Sequence, residues 1–304
     1  MTLLPPRVGI VTINYNGKGY LVDYIRSLRA VRYPNYELFL LDNASTDGSP
    51  DELLSVYPDV PIVRLSQNMG VAAGNNLGIK YFREQGKADY ILFLNPDTVH
   101  KPEFLDALVK YANGRTMVAP RAYFFDTPSI LNTTVGDFNW WRGVMAAPYY
   151  NHPDSLQSCQ VQEVEVAATY ALLVPVGVFA EVGVMDEAYF LYCDDPDFVL
   201  RARQVGYRIV YNPHSIIYHR EKASTGGQGY SAIGLYYFYR NRPYMMRKLT
   251  RGEYRFFLFM LAYLIEWGMQ CIRFSLMRRW DWVKALTEAL KDFQCGRMGQ
   301  GVLR

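Results

Sequence analysis

A chain of 304 residues, half of them hydrophobic, 20% charged and 15% aromatic, holds enough apolar surface for one large α/β domain with an appendage, and it excludes global disorder. The net charge of +3 hides an asymmetry: residues 240–304 carry 13 Lys/Arg against 5 Asp/Glu, which leaves the first 239 residues at −5, so a mildly acidic body bears a basic tail suited to an anionic partner. Cys159, Cys193, Cys271 and Cys295 form no CxxC pair and are expected as free thiols of a reducing cytosol. The N-terminal sequence lacks the pattern of a signal peptide, and no stretch of about 18 residues is apolar without charge.

In chain order, Val8–Ile13 (VGIVTI) reads as a buried strand, and Leu21, Tyr24, Ile25, Leu28 and Val31 follow at helical spacing. Leu38–Leu41, Ile62–Leu65 and Tyr90–Leu94 are three more strands. Strands alternating with helices predict βαβ units and a largely parallel sheet covered on both faces. The region 115–170 is less regular, with loops expected at Asn139–Gly143 and Pro148–His152. Apolar Ala171–Val174 and a short helix near Val178–Val182 come next. A helix over Asp197–Gln204 ends at Gly206, and two short strands, Arg208–Tyr211 and Ser215–Tyr218, lead to His219. Ala223–Tyr230 carries three glycines and is expected as a mobile loop, and everything beyond it as helix. This divides the chain into a domain at 1–225 and a helical C-terminal region at 226–304.

Ligands of such sheets bind beyond the carboxyl ends of the strands. Four successive strand ends carry Asn or Asp: Asn14-Tyr15-Asn16-Gly17, Asp42-Asn43, Asn68-Met69-Gly70 and Asn95-Pro96-Asp97. One such end is an ordinary turn; four together outline the rim of one site. Asp97, on a tight turn at a strand end, suits a divalent cation that bridges phosphates, although a helix cap before Phe104–Ala112 explains the same residues. Asp194-Asp195-Pro196-Asp197 packs three carboxylates into four residues. They repel one another unless a cation or a solvated cleft absorbs the charge, so a proton acceptor and a solvated turn both fit. His219 closes an apolar strand, where it is either structural or a metal ligand. The segment from Asn68 to Asn76, rich in small residues, either opens a helix whose backbone approaches a ligand closely or belongs to a tightly packed core helix. No GxGxxG and no Walker lysine is present.

Taken in order, the segments VTINYNG, LLDNASTDGS, NMGVAAGNNLGI, LFLNPDT, VGVMDEAYFLYCDDPDFVLRARQVGYRIVYNP, His219 and YYFYRNRPYMMRK resemble glycosyltransferase family 2, and within it the bacterial rhamnosyltransferase-like group, over roughly residues 7–245. The resemblance implies a GT-A fold with a mostly parallel central sheet flanked by helices, and an inverting single displacement. It implies a nucleotide-sugar donor held over Thr12, Asn14, Asp42, Asn43 and Asn68, with Gly70, Asn75 and Asn95 in the same site. It makes Asn95-Pro96-Asp97 the counterpart of an Asp-x-Asp metal motif, with Asp97 and His219 as ligands of Mg²⁺ or Mn²⁺. It makes Asp194 and Asp195 the acidic pair, with Asp195 as base. The donor it suggests is dTDP-rhamnose, and the acceptor a bacterial surface glycan or a lipid-linked glycan. Two positions depart from the pattern: Asn95 replaces the first motif carboxylate, and Pro196 follows the acidic pair.

A nucleotidyltransferase, or a sugar-nucleotide-binding protein without activity, shares the sheet. The first would show a glycine-rich basic segment after strand one, where this chain has only Lys18. The tail segment Tyr254–Met277 is apolar but carries Arg255, Glu266 and Arg273, with basic residues and tryptophans at its flanks. It is expected to lie in the interface of an anionic membrane at the cytoplasmic face; the alternative is packing on the catalytic domain or on a second subunit of a homodimer. No nucleic-acid partner is expected.

Overall fold

The structure, a computed structural model, describes residues 5–220 and 231–301. Its elements run β1 (Val8–Asn14), α1 (Leu21–Arg29), β2 (Tyr36–Asp42), α2 (Ser49–Val56), β3 (Ile62–Arg64), α3 (Val71–Glu84), β4 (Tyr90–Leu94), β5 (Thr98–His100), α4 (Phe104–Tyr111), β6 (Thr116–Phe124), β7 (Val135–Asn139), β8 (Val144–Ala146), β9 (Gln162–Val164), β10 (Val166–Ala167), β11 (Ala171–Pro175), α5 (Val178–Glu181), a 3₁₀ turn at Glu187–Tyr189, α6 (Asp194–Gln204), β12 (Arg208–His219), α7 (Ala232–Leu249), α8 (Glu253–Leu276) and α9 (Trp280–Gln294).

The central sheet has the order β3-β2-β1-β4-β11-β6-β12-β5, with β9 beside β12. Pairing is parallel from β3 through β4 and between β6 and β12; β11, β5 and β9 run the opposite way. β1 shows why the sheet needs a cover on both faces. Val8 and Ile10 join Tyr24, Ile25, Leu28 and Phe104 on the side of α1 and α4, whereas Val11 joins Ile79, Phe82 and Phe93 on the side of α3, as strand alternation requires. The small residues of α3 serve this contact, since a methyl group added at Gly78 would stand 2.5 Å from Val11 Cγ1.

Three sequence expectations are corrected. The region 115–170 is not merely loops: β6 lies inside the central sheet, and β10-β7-β8 form a second, small sheet. Pro120 and the buried Arg121 interrupt the apolar run of β6, and Arg121 is accommodated because its Nη2 donates to Ser158 O at 2.8 Å and its Nε to Tyr211 OH at 3.3 Å. The two strands before His219 are one strand, β12, with an irregularity between Asn212 and Ile216. Asn212 Nδ2 and Ser215 Oγ donate there to Ala107 O and Phe104 O of α4. Finally, α6 starts at Asp194, so the acidic pair lies within its first turn and not upstream of it. The loop expected at 223–230 lies outside the described residues.

The last three helices pack against one another, and α7 packs against α6. All four cysteines are unpaired. Among the described residues α8 is the one helix long and apolar enough to cross a membrane. It buries Phe259, Tyr263 and Phe274 against the protein, and its Glu266 receives Nη1 of the buried Arg242 at 3.0 Å.

Candidate active site

The carboxyl ends of β1, β2 and β4 and the start of α3 form the floor of a cavity of about 720 Å³. Five of the eight residues expected around the donor line it: Asn43, Asn68, Gly70, Asn75 and Asn95. Their side chains are organised by one another. Asn43 Nδ2 donates to Asn68 Oδ1 at 3.0 Å and to Gly70 O at 3.1 Å, while Asn43 Oδ1 and Asn68 Oδ1 accept the Met69 and Gly70 amides. The other three are buried behind this rim. Thr12 is turned to the α1 face, where its hydroxyl bonds Tyr24 OH. Asn14 Nδ2 donates to Asp42 Oδ1 at 2.7 Å, and Asp42 also accepts from Ser45. Thr12, Asn14 and Asp42 therefore shape the strand ends and do not line the cavity.

Asp97 also lines the cavity. Thr98 Oγ1 donates to Asn95 O at 2.6 Å and ties the Asn95-Pro96-Asp97 turn, while β5 pairs Thr98 with His219 of β12. That pairing brings His219 Nε2 to 3.3 Å from Asp97 Oδ1. On its other side the ring's Nδ1 donates to Asn132 Oδ1 at 2.9 Å, and Tyr170 stacks on the ring with centroids 4.5 Å apart. With Nδ1 committed as donor, the Nε2 lone pair faces a carboxylate oxygen that is buried and has no hydrogen bond. A ring nitrogen aimed at a carboxylate oxygen at this distance leaves room for a shared cation, and a histidine oriented by a second acceptor is the usual arrangement of a metal ligand. The residues therefore fit a divalent metal. Among the described residues no group of three or more His, Cys, Asp or Glu converges, so the remaining ligands would be oxygens of the substrate or water, as Mg²⁺ and Mn²⁺ accept.

The acidic pair lies in the first turn of α6; neither carboxylate lines the cavity, whose wall on this side is Phe190, Leu191 and Tyr192 just before them. Burial and the neighbouring Asp195 hold the Asp194 carboxyl well above the usual carboxylate range. Burial also raises Asp195, although the Thr169 amide draws it partly back. Asp194 Oδ2 has no hydrogen bond, and Asp195 is the more exposed of the two. A partly buried carboxylate with a raised affinity for protons, three residues after Tyr192 of the cavity wall, can accept one from a hydroxyl that reaches it. Asp197 differs from both: fully buried, it is paired with Arg201 Nε at 2.9 Å and Lys248 Nζ at 3.0 Å, and so anchors the helix.

The approach to this turn is strained. Phe190 (φ 60), Tyr192 (φ 62) and Cys193 (φ 68) all have positive φ, a region that costs a non-glycine residue about 1–3 kcal/mol. Phe190 forms a γ-turn closed by Leu191 N to Tyr189 O at 2.7 Å.

Comparison with known proteins shows the family. Residues 9–167 match Glycosyl transferase family 2, more than half of the chain. The chain belongs to glycosyl transferase family 2. It is 27% identical over 240 residues, 71% of this chain and 77% of the relative, to the N-acetylglucosaminyl-diphospho-decaprenol L-rhamnosyltransferase of Mycobacterium tuberculosis. Among solved structures it resembles S. aureus TarS 1-349 in complex with UDP-GlcNAc, with TM-score 0.59 and 16% identity over 94% of this chain and 80% of that one. It also resembles the mannosyltransferase PcManGT of Pyrobaculum calidifontis in complex with GDP-Man and Mn²⁺, with TM-score 0.56 and 13% identity over 95% and 87%. The fold is GT-A, and the chain is a glycosyltransferase.

Several residues of this glycosyltransferase's cavity escape the sequence reading. Tyr20 lines it, and burial, with the nearby Asp97 charge adding to it, raises the Tyr20 phenol. Tyr236 and Tyr237 of α7 line it too, and Tyr237 stacks on Phe190 at 5.3 Å. Asn132 and Tyr170 orient His219 from loops. Only the last could have been suspected, from an aromatic residue just before a strand. Asn132 carries no local pattern that marks it.

Proposed function

We propose that this enzyme transfers a deoxysugar, rhamnose from dTDP-rhamnose, to a hydroxyl of a bacterial surface glycan or lipid-linked acceptor, with inversion, residues 1–225 forming the catalytic domain and 226–304 a helical region beside it. The observation that carries the reading is the pairing of Asp97 with His219 at the cavity, together with the acidic turn of α6 that follows the cavity residues Phe190, Leu191 and Tyr192. Asp97 and His219 would hold Mg²⁺ or Mn²⁺, which when bound offsets the charge of a departing diphosphate. Asn43, Asn68 and Gly70 present polar groups to the donor. Asp195 takes the acceptor's proton, and Asp194, kept neutral by its burial, lets Asp195 carry the only charge of the pair. One base suffices because no covalent intermediate is needed. The rhamnosyl assignment is supported by the name of the mycobacterial relative, and the use of a metal by the manganese in the neighbouring mannosyltransferase.

We further propose a peripheral position at the cytoplasmic face of the membrane. Tyr254, Phe257, Leu261, Ile265, Met269, Ile272 and Leu276 of α8 are exposed and recur at helical spacing, with Arg251, Arg255 and Arg273 also at the surface. An apolar stripe with basic neighbours fits an anionic bilayer that carries a lipid-linked acceptor.

The test is a donor panel. dTDP-rhamnose, UDP-GlcNAc, UDP-galactofuranose and GDP-mannose are each incubated with Mn²⁺ or with excess chelator, and nucleotide release is measured. Turnover of dTDP-rhamnose that chelation abolishes supports the reading. Turnover only with a non-deoxy sugar overturns the donor, and full turnover in chelator overturns the metal.

A further inference from the structure

The strained loop before α6 is held by α7, about 50 residues further along the chain. Asn241 of α7 is fully buried. Its Nδ2 reaches three carbonyl oxygens of that loop, Tyr189 O at 2.9 Å, Leu191 O at 2.8 Å and Tyr192 O at 3.0 Å. The orientation of the amide is fixed by its neighbour. Arg240 Nε can only donate, so the atom it meets at 2.9 Å is Asn241 Oδ1, and the NH₂ group must face the carbonyls. The fourth carbonyl, Phe190 O, accepts the Val71 amide at 2.8 Å at the start of α3, on the cavity floor. All four carbonyls of 189–192 therefore have partners outside the loop, three on α7 and one at the start of α3, and Tyr189 O also closes the γ-turn with the Leu191 amide.

We propose that Asn241 is a positioning residue for transfer: its amide holds the 189–193 loop in its strained form and so sets the direction in which the first turn of α6 presents Asp195. The proposal rests on Asp195 as the base. The loop has no glycine to make positive φ at Phe190, Tyr192 and Cys193 easy. Without the amide the three carbonyls lose their common donor, the loop relaxes, and the carboxylates that follow it at once move with it. A shift on the order of 1 Å at a reacting group is enough to cost about 100-fold in rate. Asn43 and Asn68 are built on other elements, whereas Phe190, Leu191 and Tyr192 of the loop line the same cavity, so a smaller loss of donor affinity accompanies the loss of rate.

Asn241→Ala and Asn241→Asp are compared with wild type and with Met246→Ala, a buried change on the same helix that touches neither loop nor cavity. Asn241→Asp keeps the size and the Arg240 partner but removes the donors. Nucleotide release from dTDP-rhamnose, dTDP affinity by calorimetry and the thermal midpoint are measured. Both Asn241 variants are expected to lose about 100-fold in kcat with a loss of dTDP affinity no greater than about 10-fold, whereas Met246→Ala loses thermal stability with kcat within about 3-fold. A kcat near wild type in folded Asn241→Ala overturns the proposal, and so does failure of both Asn241 variants to fold, which makes the clamp a matter of folding alone. Asp195→Asn in the same assay separates the two claims: full turnover there removes the base assignment, while loss there beside an active Asn241→Ala removes only the clamp.

Discussion

Asp194 has almost no access to water and no hydrogen bond on Oδ2, yet it adjoins a second carboxylate. The folded protein therefore binds a proton there that the unfolded chain has released. A carboxyl whose folded pKa lies above its unfolded value weakens the fold as pH rises through the interval between the two, from about pH 4 upward. Asn at this position has nothing to ionise. Asp194→Asn is expected to match wild type in thermal midpoint near pH 4 and to exceed it at pH 8, by a margin on the order of 2 kcal/mol. Melting curves at both values check this, and an equal effect at the two would mean that the site does not titrate. Asp97 and His219 show how residue chemistry is legible before geometry: a carboxylate on a strand-end turn and a histidine closing a strand both sit where ligands bind. That they face each other depends on the pairing of β5 with β12, which no local pattern announces.

At the level of elements, the first four strands are readable because their runs are continuously apolar and end in Asn or Asp. β6 is not, because Pro120 and Arg121 break the run, and only the partners of Arg121 in distant segments make its burial tolerable. The start of α6 is hidden for a related reason. Asp-Asp-Pro looks like a turn, but acidic residues and proline are also what a helix accepts in its first turn, where amides need no partner and the dipole favours negative charge. Gly70 joins two elements. It adopts φ 86, and a Cβ there would stand 2.6 Å from Phe190 O. Gly70→Ala must therefore strain its own backbone and push the loop away from α3. Donor affinity is expected to fall at least about 10-fold; calorimetry with dTDP measures it, and unchanged affinity would show that this junction does not shape the donor cavity.

At the scale of the molecule, the division at residue 225 follows the change from alternating strands to helices, but the cavity ignores it, since Tyr236 and Tyr237 line it from α7. The C-terminal helices close the site, and the same bundle turns the exposed stripe of α8 outward. Removing the helices would damage the cavity, so the membrane proposal is better tested by charge. Leu261→Asp with Ile265→Asp leaves the packed face of α8 intact. Wild type is expected to sediment with anionic liposomes at low salt and the double variant to stay in the supernatant. Wild type remaining in the supernatant would make the stripe a protein contact.

The central claim is that Asp195 accepts the acceptor's proton. Its most direct test is turnover of Asp195→Asn, a change that preserves size and removes the basic oxygen. The expected result is dTDP affinity within about 3-fold of wild type and a rate lower by about 10²–10⁴-fold, the usual contribution of a positioned base. Turnover within about 10-fold of wild type, with binding intact, would contradict it.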